Sequence, residues 1–276
     1  MKSDSTAKRI LLAAAILFSI SGFILRFFQL AGELLPDGSL AEGAFLHRIL
    51  AIISLCFIVG VAILLWKLPK LVSWKQCFEP KLIYEILHMI AAGFLLIGNV
   101  VLWIQGASPA GAYVSTSPGF SSFLNHALPP LGIAAAVCLG AFAAILQTGK
   151  RPSPLLYMCM SLYLIIRLIV CFQAWNTDPS IYDYCYMLLA AICTMLSAFQ
   201  LAGFSFDKGK RRITLFWTLS SAFFCCISLA DAVHDGELGS MLVMLALLLT
   251  NTASSIQLLF AADSENTIAD SAGQGE

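Results

Sequence analysis

Charge is what this chain has least of. Only 12% of its 276 residues are Asp, Glu, Lys or Arg, while 59% are hydrophobic and mean hydropathy is +0.85. A soluble domain carries about twice that charged fraction, and no soluble fold of this length can hide so much apolar surface. The natural solvent is therefore lipid. The formal net charge is zero, and no basic stripe with interleaved aromatics appears, which excludes nucleic acid as a partner. Nucleotide-binding glycine signatures are missing, as are the G-x-S-x-G elbow and H-E-x-x-H. No stretch resembles a family of known activity. Nine cysteines are present, but with no C-x-x-C and no zinc-type spacing. Eight of them lie in or beside apolar runs, where they read as small packing residues. Only Cys77 falls in a clear loop.

What is there is a series of eight apolar stretches, near 10–31, 46–66, 82–104, 127–147, 155–175, 183–206, 213–233 and 238–260. Each meets the length of about 20 residues that a spanning helix needs. The first is too long for a cleaved signal and offers no small-residue cleavage site. The fold expected is all-α: a polytopic membrane protein with one domain over 1–262, followed by a disordered acidic tail at 263–276.

Lysine is absent from every second connection. Lys2, Lys8 and Arg9 precede the first span; Lys67, Lys70, Lys75 and Lys81 fill the second-to-third connection. Lys150 and Arg151 lie between the fourth and fifth, and Lys208, Lys210, Arg211 and Arg212 between the sixth and seventh. These thirteen of the 16 Lys+Arg share one face, which the positive-inside rule makes cytoplasmic, with the N- and C-termini inside. The expected location is the cell membrane. Turn residues agree: Pro80, Pro152 and Pro154 fall at helix starts, and Pro129 and Pro130 are expected in the first turn of the fourth span. Spans one to four and five to eight would have the same orientation, so a parallel four-plus-four repeat is allowed. Arg26 precedes Asp37, and Arg167 precedes Asp178, by the same interval.

Three arginines remain. Arg48 opens the second span from outside, Arg26 sits near the outer end of the first, and Arg167 lies in "YLIIRLIVCFQAW". Thirteen residues into its span, Arg167 is about 18 Å across a core of about 30 Å. A central arginine costs roughly 2.5–3.5 kcal/mol unless it is neutralised or can reach the interface. Arg26 can reach out to headgroups; Arg167 is expected to face the bundle interior. "SLADAVHDG" places Ser228, Asp231, His234 and Asp235 on one helical face, and Asp231 is the carboxylate expected opposite Arg167, each ion offsetting the desolvation of the other. Alternatively, Asp231 and Asp235 end their helix in solvent.

His47, His126, Asn99, Trp103, Gln29, Gln173 and the "YDY" at 182–184 gather at the outer level. The inner halves carry little beyond Glu85, His88 and Gln200, and Glu85 and His88 could form a proton relay. The expectation is an outer half lined with polar groups and a greasy inner half. His47, His126, His234 and either Asp231 or Asp235 have the chemistry of a zinc site. They lie too near the rim to hold a haem, and no cofactor is expected.

Three functions fit. The first is a transporter-like or ligand-binding protein whose outer cavity takes a small polar or anionic solute, with Arg167, Asp231, Arg26, Arg48, His234 and Asn99 as contacts. The second is a non-catalytic membrane subunit or sensor. The third is a metal-dependent membrane enzyme acting on a lipid or envelope precursor.

Overall fold

A computed structural model describes residues 2–33, 41, 43–66, 68, 73–78, 80–105, 120–175 and 181–261; the side chains of 2–7, 76, 120–122, 174–175 and 181–184 are not described. Asp37, Asp178, the 182–184 side chains and the tail therefore lie outside the described residues.

The described residues form helices and connecting turns. The helices are α1 (Lys2–Gly32), α2 (Phe45–Trp66), α3 (Trp74–Cys77), α4 (Leu82–Gln105), α5 (Phe120–Gln147), α6 (Pro154–Trp175), α7 (Ile181–Phe204), α8 (Arg211–His234) and α9 (Leu238–Leu259). All but α3 are long and apolar enough to cross a membrane. The protein is thus a polytopic membrane bundle, with its lysine-rich connections at one end and the remaining connections at the far end.

Two helix starts lie well upstream of expectation, α1 at Lys2 rather than 10 and α5 at Phe120 rather than 127. Helix α5 starts at Phe120, so Pro129 and Pro130 lie inside it. A proline has no N–H to donate to the carbonyl four residues back, which leaves those of Asn125 and His126 without their usual helical donors.

Six helices close a ring. Neighbours pack in the order α4, α5, α6, α7, α8, α9 and back to α4, while α1 packs against α8 and α2 against both α1 and α8. Helix α8 therefore has neighbours on nearly every side, and 67% of its spanning window is buried, against 22% for each of α1 and α2. The latter two form an apolar hairpin clipped to the outside of the ring. Close approach needs small residues where backbones meet. Gly98 on α4 and Gly239 on α9 face one another: a Cβ on Gly98 would sit 3.0 Å from the Gly239 carbonyl oxygen.

The short α3 closes the lysine-rich end. Trp74 stacks on Phe78 with ring centroids 4.1 Å apart and meets Phe142 edge-on at 6.3 Å, while Phe78 meets Phe204 edge-on at 5.4 Å. The Trp74 amide donates to Asp207, which pairs with Arg151. Cys77, expected in a loop, is buried in this floor, and burial pushes its thiol up to about 12. All nine cysteines are free.

Candidate functional site

Arg26 on α1 and Arg167 on α6, both away from the ends of their helices, are each only 1% exposed. Their surroundings differ.

Arg26 meets a carboxylate. Its Nε donates to Asp231 Oδ1 at 2.6 Å, and its Nη1 donates to Gln29 Oε1 at 3.1 Å. Gln29 continues to His47 Nδ1 at 3.3 Å. The carboxylate of Glu33 accepts from the backbone amides of Leu46 (2.7 Å) and His47 (3.1 Å), satisfying the start of α2. The Tyr186 ring stands 5.5 Å from the Arg26 guanidinium. This network ties the α1–α2 hairpin to α8. The expected Arg167–Asp231 pair is thus replaced by Arg26–Asp231. The physical reason is adjacency: α1 packs along α8, whereas α6 packs on α5 and α7.

Arg167 faces the ring interior, as expected, but without that partner. Its Nη1 reaches the Tyr163 hydroxyl at 3.5 Å, a distance at which a hydrogen bond is weak. The Nη2 atom is buried and has no hydrogen-bond partner, and among the described residues Arg167 makes no ion pair. Glu237, at the start of α9, acts on it electrostatically from beyond ion-pair distance, while its own Oε2 accepts from Ser240 at 2.9 Å. Tyr163 donates to Asn99 Oδ1 at 3.2 Å, and Asn99 Nδ2 donates to the Leu95 carbonyl at 2.8 Å. Asn99 lies in a notch at Gly132, where a Cβ would come 2.0 Å from Asn99 Oδ1. Arg167, Tyr163 and Asn99 thus join α4, α5 and α6.

The remaining expected contacts do not converge. Arg48, His126, His234 and Asp235 are exposed, and His234 Nδ1 lies 3.4 Å from Asp235 Oδ1. No group of three or more His, Cys, Asp or Glu able to hold a metal occurs among the described residues. His47, His126, His234 and Asp235 are therefore not gathered into one ligand set.

The inner half of the ring is not greasy. Thr194 donates to the Ala190 carbonyl at 2.6 Å, so the Ser221 hydroxyl, also at 2.6 Å, is the donor to Thr194. Ser197 donates to Asn251 Oδ1 at 2.6 Å. His88 does not pair with Glu85; its Nδ1–H donates to the Tyr84 carbonyl at 2.7 Å. Polar side chains therefore occur in both halves of the ring, with Arg167, Tyr163 and Asn99 in one and Thr194, Ser197, Ser221, Asn251 and His88 in the other. Thr194, Ser197, Ser221, Asn251 and Glu237 were not foreseen from sequence. Their signal was faint, because Ser, Thr and Asn inside a helix can satisfy themselves on the carbonyl one turn back.

The chain matches no known family model, no curated protein and no solved structure.

Proposed function

We propose that this multi-pass membrane protein binds a small anionic solute inside the six-helix ring, with the Arg167 guanidinium as the charged contact, and that it serves as a binding or transport protein of the cell membrane. One observation carries the reading: a guanidinium 1% exposed, with an unpartnered Nη2 and no ion pair to a described residue. Burying an unpaired charge costs several kcal/mol unless a counter-charge arrives. A carboxylate or similar oxyanion would supply both the charge and the bidentate geometry that arginine favours. Tyr163 and Asn99 hold the guanidinium in place, and Glu237 is the acidic group the anion would meet.

Entry is from the far end, because the aromatic floor of Trp74, Phe78, Phe142 and Phe204 covers the other. With the lysine-rich end cytoplasmic, the site faces outward and both termini lie inside. Arg26, engaged by Asp231, holds the hairpin and does not contact the solute; Asp231 is its partner rather than a switch for Arg167. Arg48, exposed at the far end, attracts anions to the entrance.

The test is thermal unfolding in detergent with acetate, glutamate, phosphate or sulfate, comparing wild type with Arg167→Met. A ligand bound only by the folded form stabilises it by about 2.7 kcal/mol at 100 times its Kd. At least one of the four should raise the wild-type Tm and leave the variant unmoved. If none stabilises the wild type more than the variant, Arg167 is no anion site. A subunit or sensor in which it only packs would give that second result.

A further inference from the structure

An anion that reaches Arg167 from the far end has a second carboxylate to contend with. Glu237 stands there, half-buried, immediately before α9. Packing sets it near the arginine. Gly239, two residues on, comes so close to α4 that a Cβ on it would lie 3.2 Å from the Gly98 carbonyl oxygen and 2.7 Å from Leu102 Cγ. The next residue of α4 is Asn99, which accepts from Tyr163, and the Tyr163 hydroxyl is the contact of Arg167 Nη1. Glu237 accordingly lies within electrostatic reach of Arg167 and of Cys171, one turn further along α6. Its Oε2 accepts from Ser240 at 2.9 Å, and among the described residues its Oε1 accepts no hydrogen bond. Nor do Arg167 and Glu237 form an ion pair with each other. One pole therefore offers a buried guanidinium nitrogen without an acceptor, and the other a carboxylate oxygen without a donor.

Resting on the reading that Arg167 takes the anionic group of a solute, we propose that this solute is an amino carboxylate, with its carboxylate on Arg167 and its ammonium on Glu237. Charge decides against a simple anion. Arg167 and Glu237 sum to zero, so a bound anion would leave one uncompensated negative charge, which is costly in a medium of low dielectric. A zwitterion leaves none. Its carboxylate accepts from Arg167 Nη2, and its ammonium donates to Glu237 Oε1. Separation agrees as well, because a molecule carrying both charges fits between two poles only if they stand further apart than a direct ion pair. Ser240 holds the other Glu237 oxygen and so orients the carboxylate. Glu237, which would repel a plain anion, becomes the contact that selects the amino group.

The test pairs ligands of equal carbon skeleton in thermal unfolding of the full-length protein in detergent: glycine with acetate, β-alanine with propionate, and γ-aminobutyrate with butyrate. At least one amino acid should raise the wild-type Tm more than its matched carboxylate does at equal concentration. Glu237→Gln should weaken the apparent affinity for that amino acid roughly tenfold and bring its response down to that of the matched carboxylate. Arg167→Met should abolish both responses. Carboxylates that stabilise the wild type as well as all the amino acids, or better, overturn the inference and leave Arg167 as an anion site. A Glu237→Gln protein that keeps the advantage of the amino acid overturns it too. If no amino acid or matched carboxylate acts while phosphate or sulfate still stabilises through Arg167, the solute is not an amino carboxylate. If no anion acts at all, the reading beneath the inference has failed with it. Should Glu237→Gln not fold, the matched pairs in the wild type decide alone.

Discussion

Arg26 and Arg167 are the same residue type, each 1% exposed, and the bundle treats them oppositely. Arg26 sits where the outer hairpin meets α8, donating to Asp231 at 2.6 Å and to Gln29 at 3.1 Å. Arg167 sits inside the ring with one long contact to a tyrosine and an unpartnered Nη2. The first cation is consumed by the fold. The second is left over by it. A buried charge that the fold neutralises is a fastener; one that it leaves unneutralised adds nothing to stability.

The comparison breaks most visibly at the paired site. Arg26→Met strands Asp231, and removing one member of a buried pair typically costs about 3–5 kcal/mol. Chemical denaturation in mixed micelles should show a loss of that size. Adding Asp231→Leu should recover most of it, because two apolar side chains need no counter-charge. An Arg26→Met protein as stable as wild type would mean that the ion pair is not what fastens the hairpin.

Gly132→Ala sharpens the other side. A Cβ at 132 would come 2.0 Å from Asn99 Oδ1, so Asn99 must leave its notch and release Tyr163. Overpacking of this kind costs about 1–3 kcal/mol. Anion-dependent stabilisation should weaken as well, since the guanidinium loses its positioning. Retention of full stability and full anion response would show that Asn99 does not hold the site.

The smallest effect is expected at Glu237. If Arg167 truly lacks a carboxylate partner, Glu237→Gln should shift stability by less than about 1 kcal/mol, as for loosely coupled, partly solvated charges. A loss equal to that of Arg26→Met would make Glu237 the hidden counter-ion and collapse the distinction between the two arginines.

Much of the architecture was legible because bilayer thickness dictates length. The eight apolar runs became eight long helices, with ends that mostly moved by a few residues. The starts of α1 and α5 moved furthest, the latter because Pro129 and Pro130 look like a helix beginning when no upstream contacts are known. Helix α3 is only four residues long, too short for any periodic signal; its aromatics are held by the ring floor. The interior position of Arg167 followed from depth alone. The wrong partner for Asp231 arose from the same argument, because sequence gives height along a helix and not which helices touch. Which of Arg26 and Arg167 meets Asp231 is decided by the packing of α1 along α8. Thr194, Ser197 and Asn251 stayed hidden because such residues occur singly in spanning helices without consequence.

One measurement reaches the central claim directly: the unfolding free energy of Arg167→Met relative to wild type in low-salt buffer without added carboxylate, phosphate or sulfate. A buried cation with no ion-pair partner among the described residues burdens the fold, so the variant should be as stable as wild type or more stable by up to about 3 kcal/mol. A loss of several kcal/mol, like that expected for Arg26→Met, would show that Arg167 is already neutralised by the protein and has no vacant charge to offer a solute.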